Sequence, residues 1–260
     1  MEIGVVGLGL IGGSIFKKLK SLGKYEVVGV SRSVKDADVS DDYTTLSCCD
    51  IVFVCTPMSV TLEILDKLES YVSKNTIVTD VCSLKEFVSK KKYKYHFIPS
   101  HPMAGTENSG WESSFPELFE GAKWVITPLA EEDDKAQKKL GALIEDLGAS
   151  IVITTAEEHD KAVALISHMP MIIAQALCEN IKDDNLAQTL VASGFRDTTR
   201  LALSNTQMAS DMVKMNRENI ELAFDTLAKS IKALLGEDYP NKAETIKAFR
   251  NKLFKLNQNT

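Results

Sequence analysis

The 260-residue chain carries only four histidines, His96, His101, His159 and His168. His101 lies in Ser100-His101-Pro102-Met103-Ala104-Gly105-Thr106, directly after an apolar stretch, His96 to Pro99, that reads as a strand. Open α/β sheets bind their ligands at the carboxyl ends of their strands, so an imidazole there faces a ligand. In its neutral form it can take the proton of a hydroxyl group while hydride leaves the carbon beneath. Two further strand ends carry polar groups, Cys55-Thr56-Pro57 and Asp80-Val81-Cys82-Ser83. Ser83 is placed to hold the imidazole in one tautomer or to touch a ligand bound beside it.

The groups able to hold an anion lie far along the chain. In Ser193-Gly194-Phe195-Arg196-Asp197-Thr198-Thr199-Arg200 two arginines stand four residues apart beside one carboxylate. Arg196 and Asp197 read as a structural pair. Arg200 is left over to grip a substrate carboxylate in bidentate fashion. Arg217 heads an apolar helical stripe and needs an anionic partner, counted here as a candidate substrate contact with its role open. Ser167-His168-Met169-Pro170 interrupts an apolar helix, because Pro170 cannot donate to Ile166 and should kink it. His168 then reads equally as a pocket wall or as a satisfied core histidine. No metal site is read.

The cofactor signal is Gly7-Leu8-Gly9-Leu10-Ile11-Gly12. Alone, this spacing is weak. Here it follows a strand beginning at residue 2 and opens a helix, as dinucleotide binding requires. Gly7 allows the tight turn, Gly9 lets the backbone approach a pyrophosphate, and Gly12 permits close helix–strand packing, with the helix N-terminus facing the phosphates. The second strand ends Val30-Ser31-Arg32-Ser33, with no carboxylate before Asp36. A hydroxyl and a guanidinium suit a 2′-phosphate, which favours NADP over NAD. Alternatively, Arg32 stacks on the adenine and accepts either cofactor.

The elements that must position these groups alternate. Strands are expected over Glu2–Val6, Tyr25–Val30, Ile51–Cys55, Thr76–Val81, His96–Pro99, Trp124–Thr127 and Ile151–Thr154, with helices over residues 13–22, 60–71 and 135–147. That order implies an α/β fold, a Rossmann-type doubly wound parallel sheet. Between Arg32 and Ile51 the chain is too short for a full crossover, so one element there should be trimmed. From the capping-box pattern at Thr155-Ala156-Glu157-Glu158 onward no strand is expected. Helical patterns cover residues 159–181, 185–191, 206–235 and 242–256. The division is a dinucleotide-binding domain over 1–154 and a C-terminal all-helical domain for substrate binding and dimerisation over 155–260. The stripe Ile220, Phe224, Leu227, Ile231 and Leu234 is long for so small a domain, and a second subunit is expected to complete it.

Composition narrows the class. A net charge of −6 and a pI near 5.4 argue against nucleic acid or an anionic membrane as partner. Five cysteines without CxxC spacing read as reduced thiols of a cytoplasmic protein. No signal peptide is read at Met1. The apolar run Ala162–Cys178 is shorter than the roughly 20 residues of a membrane span and is expected to be a buried helix.

The series Gly7 to Ser14, Cys55-Thr56-Pro57, Thr79 to Lys85, His101 to Thr106, Ser167 to Pro170 and Gly194 to Arg200 resembles the prephenate/arogenate dehydrogenase family of tyrosine biosynthesis. The segments at His101 and Gly194 are the specific ones. The resemblance implies an NAD(P)-dependent oxidative decarboxylation of prephenate or arogenate. His101 accepts the ring 4-hydroxyl proton, Ser83 bridges it towards the nicotinamide, and Arg200 grips the ring carboxylate. His168, Thr106 and Gly194 belong to the substrate pocket, and a homodimer forms through the helical domain. Some relatives carry a regulatory domain or a fused chorismate mutase, for which 260 residues leave no room, so any tyrosine feedback would act at the active site.

Two other readings compete. A β-hydroxyacid dehydrogenase shares the layout but needs a Lys and an Asn on the first C-terminal helix, where this chain has Lys161 and His168. A non-catalytic NADP-binding sensor would bind cofactor without turnover.

Overall fold

The first strand, β1 (Glu2–Val6), is buried along almost its whole length, as expected of a central parallel strand covered on both faces. In a computed structural model describing residues 1–106, 108–129 and 134–256, it is followed by α1 (Leu10–Leu22), β2 (Glu26–Val30), β3 (Val39–Ser40), β4 (Ile51–Val54), α2 (Met58–Leu68), β5 (Ile77–Asp80) and β6 (His96–Phe97). These strands form one six-stranded parallel sheet in the order β3-β2-β1-β4-β5-β6. Side chains alternate between its faces. Ile3, Val5, Ile51 and Phe53 enter one core with α1, whereas Val6, Val52, Val54 and Val78 enter another with Leu65 and Leu68 of α2. The sheet is doubly wound because both sets are apolar.

The short stretch after Arg32 leaves room only for the two-residue β3 and a 3-10 turn at Tyr43–Leu46. The main sheet also ends sooner than the apolar pattern suggests. Pro99 has no N–H to continue the ladder, and the chain leaves it after Phe97. Strands β7 (Ser100–Pro102), β8 (Lys123–Ile126) and β9 (Ser150–Ile153) make a separate three-stranded sheet, with β7 antiparallel and β9 parallel to β8. The single sheet expected from the sequence is therefore two. Trp124 of β8, wholly buried against Phe53 and Phe119, packs the small sheet against the large one's core. Helix α3 (Asp134–Asp146) lies between β8 and β9.

Beyond Ile153 the described residues are helical: α4 (Ala156–Val163), α5 (Met169–Asn180), α6 (Asn185–Thr189), α7 (Ser193–Thr199), α8 (Thr206–Met215), α9 (Arg217–Leu234) and α10 (Tyr239–Leu256). Thr155 caps α4, its hydroxyl accepting from Glu158 N while the Glu158 carboxylate accepts from Thr155 N. Helices α4 and α5 run on through a π-helical segment at Ala164–His168, just before Pro170. The π turn absorbs the donor that proline lacks, so Pro170 widens the helix without ending it.

The continuous helix Ala156–Asn180 is 25 residues, long and apolar enough to cross a membrane by length and composition, and much of it is exposed. The expectation of a shorter, buried helix is corrected accordingly: Leu165 and Ile166 face outward. Its other face carries the buried polar residues His159, Asp160 and His168. The single helix expected over 206–235 is broken at Asn216, whose backbone leaves helical geometry while its amide serves Asp160 and His168 on the long helix Ala156–Asn180.

Candidate active site

The register of the parallel strands lines up their carboxyl ends. Val6 pairs with Val30 and with Val54, and Val54 pairs with Asp80. Arg32, Gly7, Cys55 and Ser83 consequently leave the sheet along one edge, in that spatial order. Three strand spacings, about 14 Å, separate β2 from β5. The glycine turn occupies the middle of this edge. Gly7 adopts φ +88°, and a Cβ there would stand 2.6 Å from Cys55 O. A Cβ on Gly12 would lie 2.0 Å from Gly7 O, whereas one on Gly9 meets nothing within 4 Å. Two glycines thus close the turn and the third leaves its outer side open. No side chain caps the N-terminus of α1. This cradle fits a pyrophosphate.

The flanking residues divide. Leu8 is buried in the core, so only its backbone can serve a ligand, and Leu10 and Ile11 are half-buried. The Ser31 hydroxyl accepts from Ser33 N and Val34 N at 3.3 Å, which turns it into its own loop. Arg32 is exposed. Thr56 Oγ1 stands 3.0 Å from Thr61 Oγ1, Pro57 precedes α2, and burial holds the Cys55 thiol well above its ordinary range. A thiol held protonated in this way is a poor nucleophile.

At the β5 end of this edge lies a cavity of about 270 Å³ between the sheet domain and the helices. Ser83, His101, Met103 and Gly105 line one side, and Val163, His168, Met171, Leu201, Met208 and Met212 the other. Its walls are mostly apolar, with two imidazoles and the hydroxyls of Ser83, Ser167 and Ser204 as the polar points.

The partly buried imidazole of His101 is held from behind. Its Nδ1 lies 2.9 Å from Nε2 of His159, and His159 Nδ1 lies 2.7 Å from Asp160 Oδ1. The Asp160 carboxylate also accepts from Lys85 N at 2.8 Å and Glu86 N at 2.9 Å. With Asp160 as acceptor, His159 carries its proton on Nδ1 and offers a lone pair at Nε2. His101 then donates through Nδ1, which leaves the lone pair of its own Nε2 free. Burial, and after it the neighbouring His159, Lys85 and His168, hold the His101 pKa well below 6.5. The ring is neutral throughout the physiological range and able to accept a proton.

His168 is buried, and its pKa falls to about 4, chiefly through desolvation. Asn216 Nδ2 donates to Asp160 O at 2.8 Å and to His168 Nδ1 at 3.1 Å, so His168 keeps its proton on Nε2 as a donor for the cavity it lines. It is both pocket wall and satisfied histidine. The two sequence readings were not exclusive.

The anion-binding candidates lie further out. Arg200 is exposed at the head of the turn Arg200–Leu203, outside the cavity lining, although Leu201 and Ser204 of the same turn line it. Arg196 pairs with Asp197 at 3.3 Å on the surface. Gly194 is exposed at the start of α7. Thr106 is exposed beside the lining residue Gly105, its hydroxyl accepting from Asn108 N. Arg217 does not reach the cavity. Its Nε lies 2.7 Å from Glu221 one turn along α9, so a neighbouring side chain is its anionic partner here.

Sequence reasoning missed His159, Asp160 and Asn216. A His-Asp pair in the first turn of a helix that becomes strongly apolar was the available signal for the first two. Among the described residues no group of three His, Cys, Asp or Glu could hold a metal ion.

Comparison with known proteins bears on this arrangement. Residues 24–153 match a family model described as prephenate dehydrogenase, nucleotide-binding domain, and residues 155–255 one described as prephenate dehydrogenase, dimerization domain. A prephenate dehydrogenase of Bacillus subtilis is 32% identical over 250 residues, covering 87% of this chain and 67% of that protein. The crystal structure of Synechocystis arogenate dehydrogenase superposes with a TM-score of 0.83 at 31% identity, covering 98% of this chain and all of the other. Prephenate dehydrogenase from A. aeolicus, in complex with hydroxyphenyl propionate and NAD+, gives 0.81 at 29% identity, covering 99% and 97%. The glycine cradle, the neutral imidazole at the cavity and these matches agree, and the chain belongs to the prephenate dehydrogenase family, whose reaction is a nicotinamide-dependent oxidation of prephenate or arogenate.

Proposed function

We propose that His101 is the proton acceptor of this oxidation, that Ser83 orients the reacting end of the cofactor against it, and that Arg200 holds a substrate carboxylate. The observation that carries the reading is the relay Asp160–His159–His101, which fixes the tautomer leaving His101 Nε2 free at the cavity. The glycine cradle would hold the dinucleotide, which when bound supplies the hydride acceptor. The 4-hydroxyl proton passes to His101 Nε2 as C4 loses hydride. The ring carboxylate leaves as carbon dioxide, its bonding electrons complete the aromatic ring, and the phenolate oxygen so formed takes the proton back from His101. The Met-lined walls keep water from the ring face, while His168 Nε2–H supplies one fixed donor. Arg200 is supported by its place beside Leu201 and by its having no carboxylate partner among the described residues. Thr106 and Gly194 are assigned to the rim.

The direct test mixes the protein with prephenate or arogenate and NAD+ or NADP+ and follows reduced-nicotinamide absorbance. Turnover with one of the four pairs is expected. Cofactor binding without turnover in any pair would leave the sensor reading instead.

NADP remains the favoured cofactor, since Arg32 is exposed at the β2 end of the bed, although the Ser31 hydroxyl contributes less than its type suggested. Arg32→Ala should raise the Michaelis constant for NADP+ and leave that for NAD+ unchanged. We further infer a homodimer through the helical domain, because Leu222, Ile231, Leu235 and Phe249 are exposed on α9, at its C-cap and on α10. A monomer in sedimentation at micromolar concentration would count against it. The free state of all five cysteines supports a cytoplasmic setting, and Asp and Glu outnumber Lys and Arg by 36 to 30, so neither nucleic acid nor membrane is proposed as a partner.

A further inference from the structure

Beneath the cavity lies a charge pair that the proposed chemistry does not use. Lys85 and Asp80 are both wholly buried and in contact, Lys85 Nζ donating to Asp80 Oδ2. Such a pair is costly to desolvate, and a purely apolar filling is often as stable, so its position is informative. Lys85 Nζ also donates to Ser100 O at 2.6 Å, while Asp80 Oδ1 accepts from Ser100 N at 3.3 Å. The Ser100 hydroxyl donates to Asp80 O at 2.9 Å and accepts from Trp124 Nε1 at 2.9 Å. Every polar group of the residue preceding His101 is thus fixed. The backbone amide of Lys85 meanwhile donates to Asp160, the carboxylate that orients His159 and through it the ring of His101. One residue therefore holds His101 twice: through its ammonium at the backbone and through its amide at the imidazole.

From this geometry we propose that Lys85 is a positioning residue for the proton acceptor, aligning the His101 ring and keeping an ammonium group beside it. The inference rests on the reading of His101 as proton acceptor. The ionisable groups around that ring are His159 and Asp160 from α4, His168 from the π segment, and the Lys85–Asp80 pair from below. Burial and the neighbouring His159, Lys85 and His168 all act to lower its pKa, so loss of the ammonium removes one of these contributions.

The test uses Lys85→Met, together with Lys85→Met/Asp80→Asn, which leaves no unpaired buried carboxylate and keeps the measurement available if the single variant fails to fold. Cofactor dissociation constants should stay unchanged. The turnover number should fall on the order of 10²-fold, as expected for a misplaced reacting group, with a smaller change in the substrate Michaelis constant. The acid limb of kcat/KM should move to higher pH in both variants, further in the single one, where the Asp80 carboxylate is left behind. Lys85→Arg, which keeps the charge, should restore the position of the limb. A purely structural staple would lower stability and active fraction but leave the limb where it is in the folded double variant, and that result overturns the proposal. Full turnover in His101→Asn would instead overturn the proton-acceptor reading itself, so the two failures are distinguishable.

Discussion

His101 Nδ1 stands 2.9 Å from His159 Nε2, so the imidazole at the cavity is oriented by a second imidazole, and the Asp160 carboxylate acts one ring further back. The nearer ring can accept a proton without an adjacent anion that would hold it charged. His101→Asn should lower turnover by about 10² to 10⁴-fold while cofactor affinity, measured by fluorescence titration, is unchanged. His159→Asn should cost less, because His101 remains but is free to rotate. Equal losses in the two would show that His159 does more than orient.

The same burial sets the pH response of the rate. The pKa of His101 lies well below 6.5, so the accepting form predominates from neutral pH down into the mildly acidic range. The profile of kcat/KM should be flat between about pH 6 and 8 and fall only at lower pH, where the ring protonates and no longer accepts. An acid limb centred at or above 6.5 would contradict the buried, charge-flanked setting.

His168 makes a separate prediction about stability. Its pKa is about 4 in the folded chain against 6.5 when exposed. Above pH 6.5 the ring is neutral in both states and has no effect on the pH dependence. As pH falls from 6.5 towards 4 the unfolded chain takes up a proton that the folded chain refuses, and stability drops, by about 2 kcal/mol at pH 5 and about 3 kcal/mol in full. Urea unfolding at pH 7 and pH 5 should show a smaller acid loss in His168→Gln than in the parent. Equal losses would place the acid sensitivity elsewhere.

Much of this was legible in the chain because it depends on local rules. The strand before Gly7, the turn and the helix after it are dictated by β-branched residues and by glycines that no other residue can replace at Gly7 and Gly12. The end of β5 brought Ser83 to the cavity as expected, whereas His101, expected at the end of the strand His96–Pro99, reaches it from within β7 of the second sheet. Contacts between residues distant in sequence were not legible. The bond between His101 and His159 spans 58 residues, and that between Asn216 and His168 spans 48. Nothing in the helical spacing around Asn216 signals that its amide is needed elsewhere, so two helices read as one. Pro99 marked the split of the sheet, but a proline at a strand end is equally consistent with a simple stop.

The glycine cradle separates binding from folding. Gly12→Ala would put a methyl carbon 2.0 Å from Gly7 O and 2.9 Å from Cys55 Cβ, both in the packed junction of α1 with the sheet. That variant should lose thermal stability and cofactor binding together. Gly9→Ala meets no atom of the protein within 4 Å, and its φ of −82° suits any residue. It should melt as the parent does and yet bind the dinucleotide more weakly, because the added methyl projects into the space a pyrophosphate would take. Calorimetry and cofactor titration on the two proteins decide the matter. A Gly9→Ala protein with unimpaired affinity would move the phosphates away from this turn.

Arg200 and Arg217 are both exposed guanidiniums on the helical domain, and their surroundings give them opposite expectations. Arg217 is occupied by Glu221 in a solvent-screened pair one helical turn apart, the kind that contributes little. Arg217→Ala should leave turnover, Michaelis constants and melting temperature essentially unchanged. Arg200 has no carboxylate partner among the described residues and begins the turn whose Leu201 and Ser204 line the cavity. A short rotation of its long side chain would bring its planar donors to the rim, where a substrate carboxylate can take two hydrogen bonds at once. Arg200→Ala should therefore raise the substrate Michaelis constant by roughly 10 to 100-fold, the loss expected for a charge-assisted contact of about 1.5 to 3 kcal/mol. Turnover at saturation should change much less, since the contact exists before and during reaction. Arg200→Lys should recover only part of the affinity, because a single ammonium cannot reproduce the bidentate fork. If Arg200→Ala instead behaves like Arg217→Ala, the carboxylate must be held from within the cavity or by a second copy of the chain.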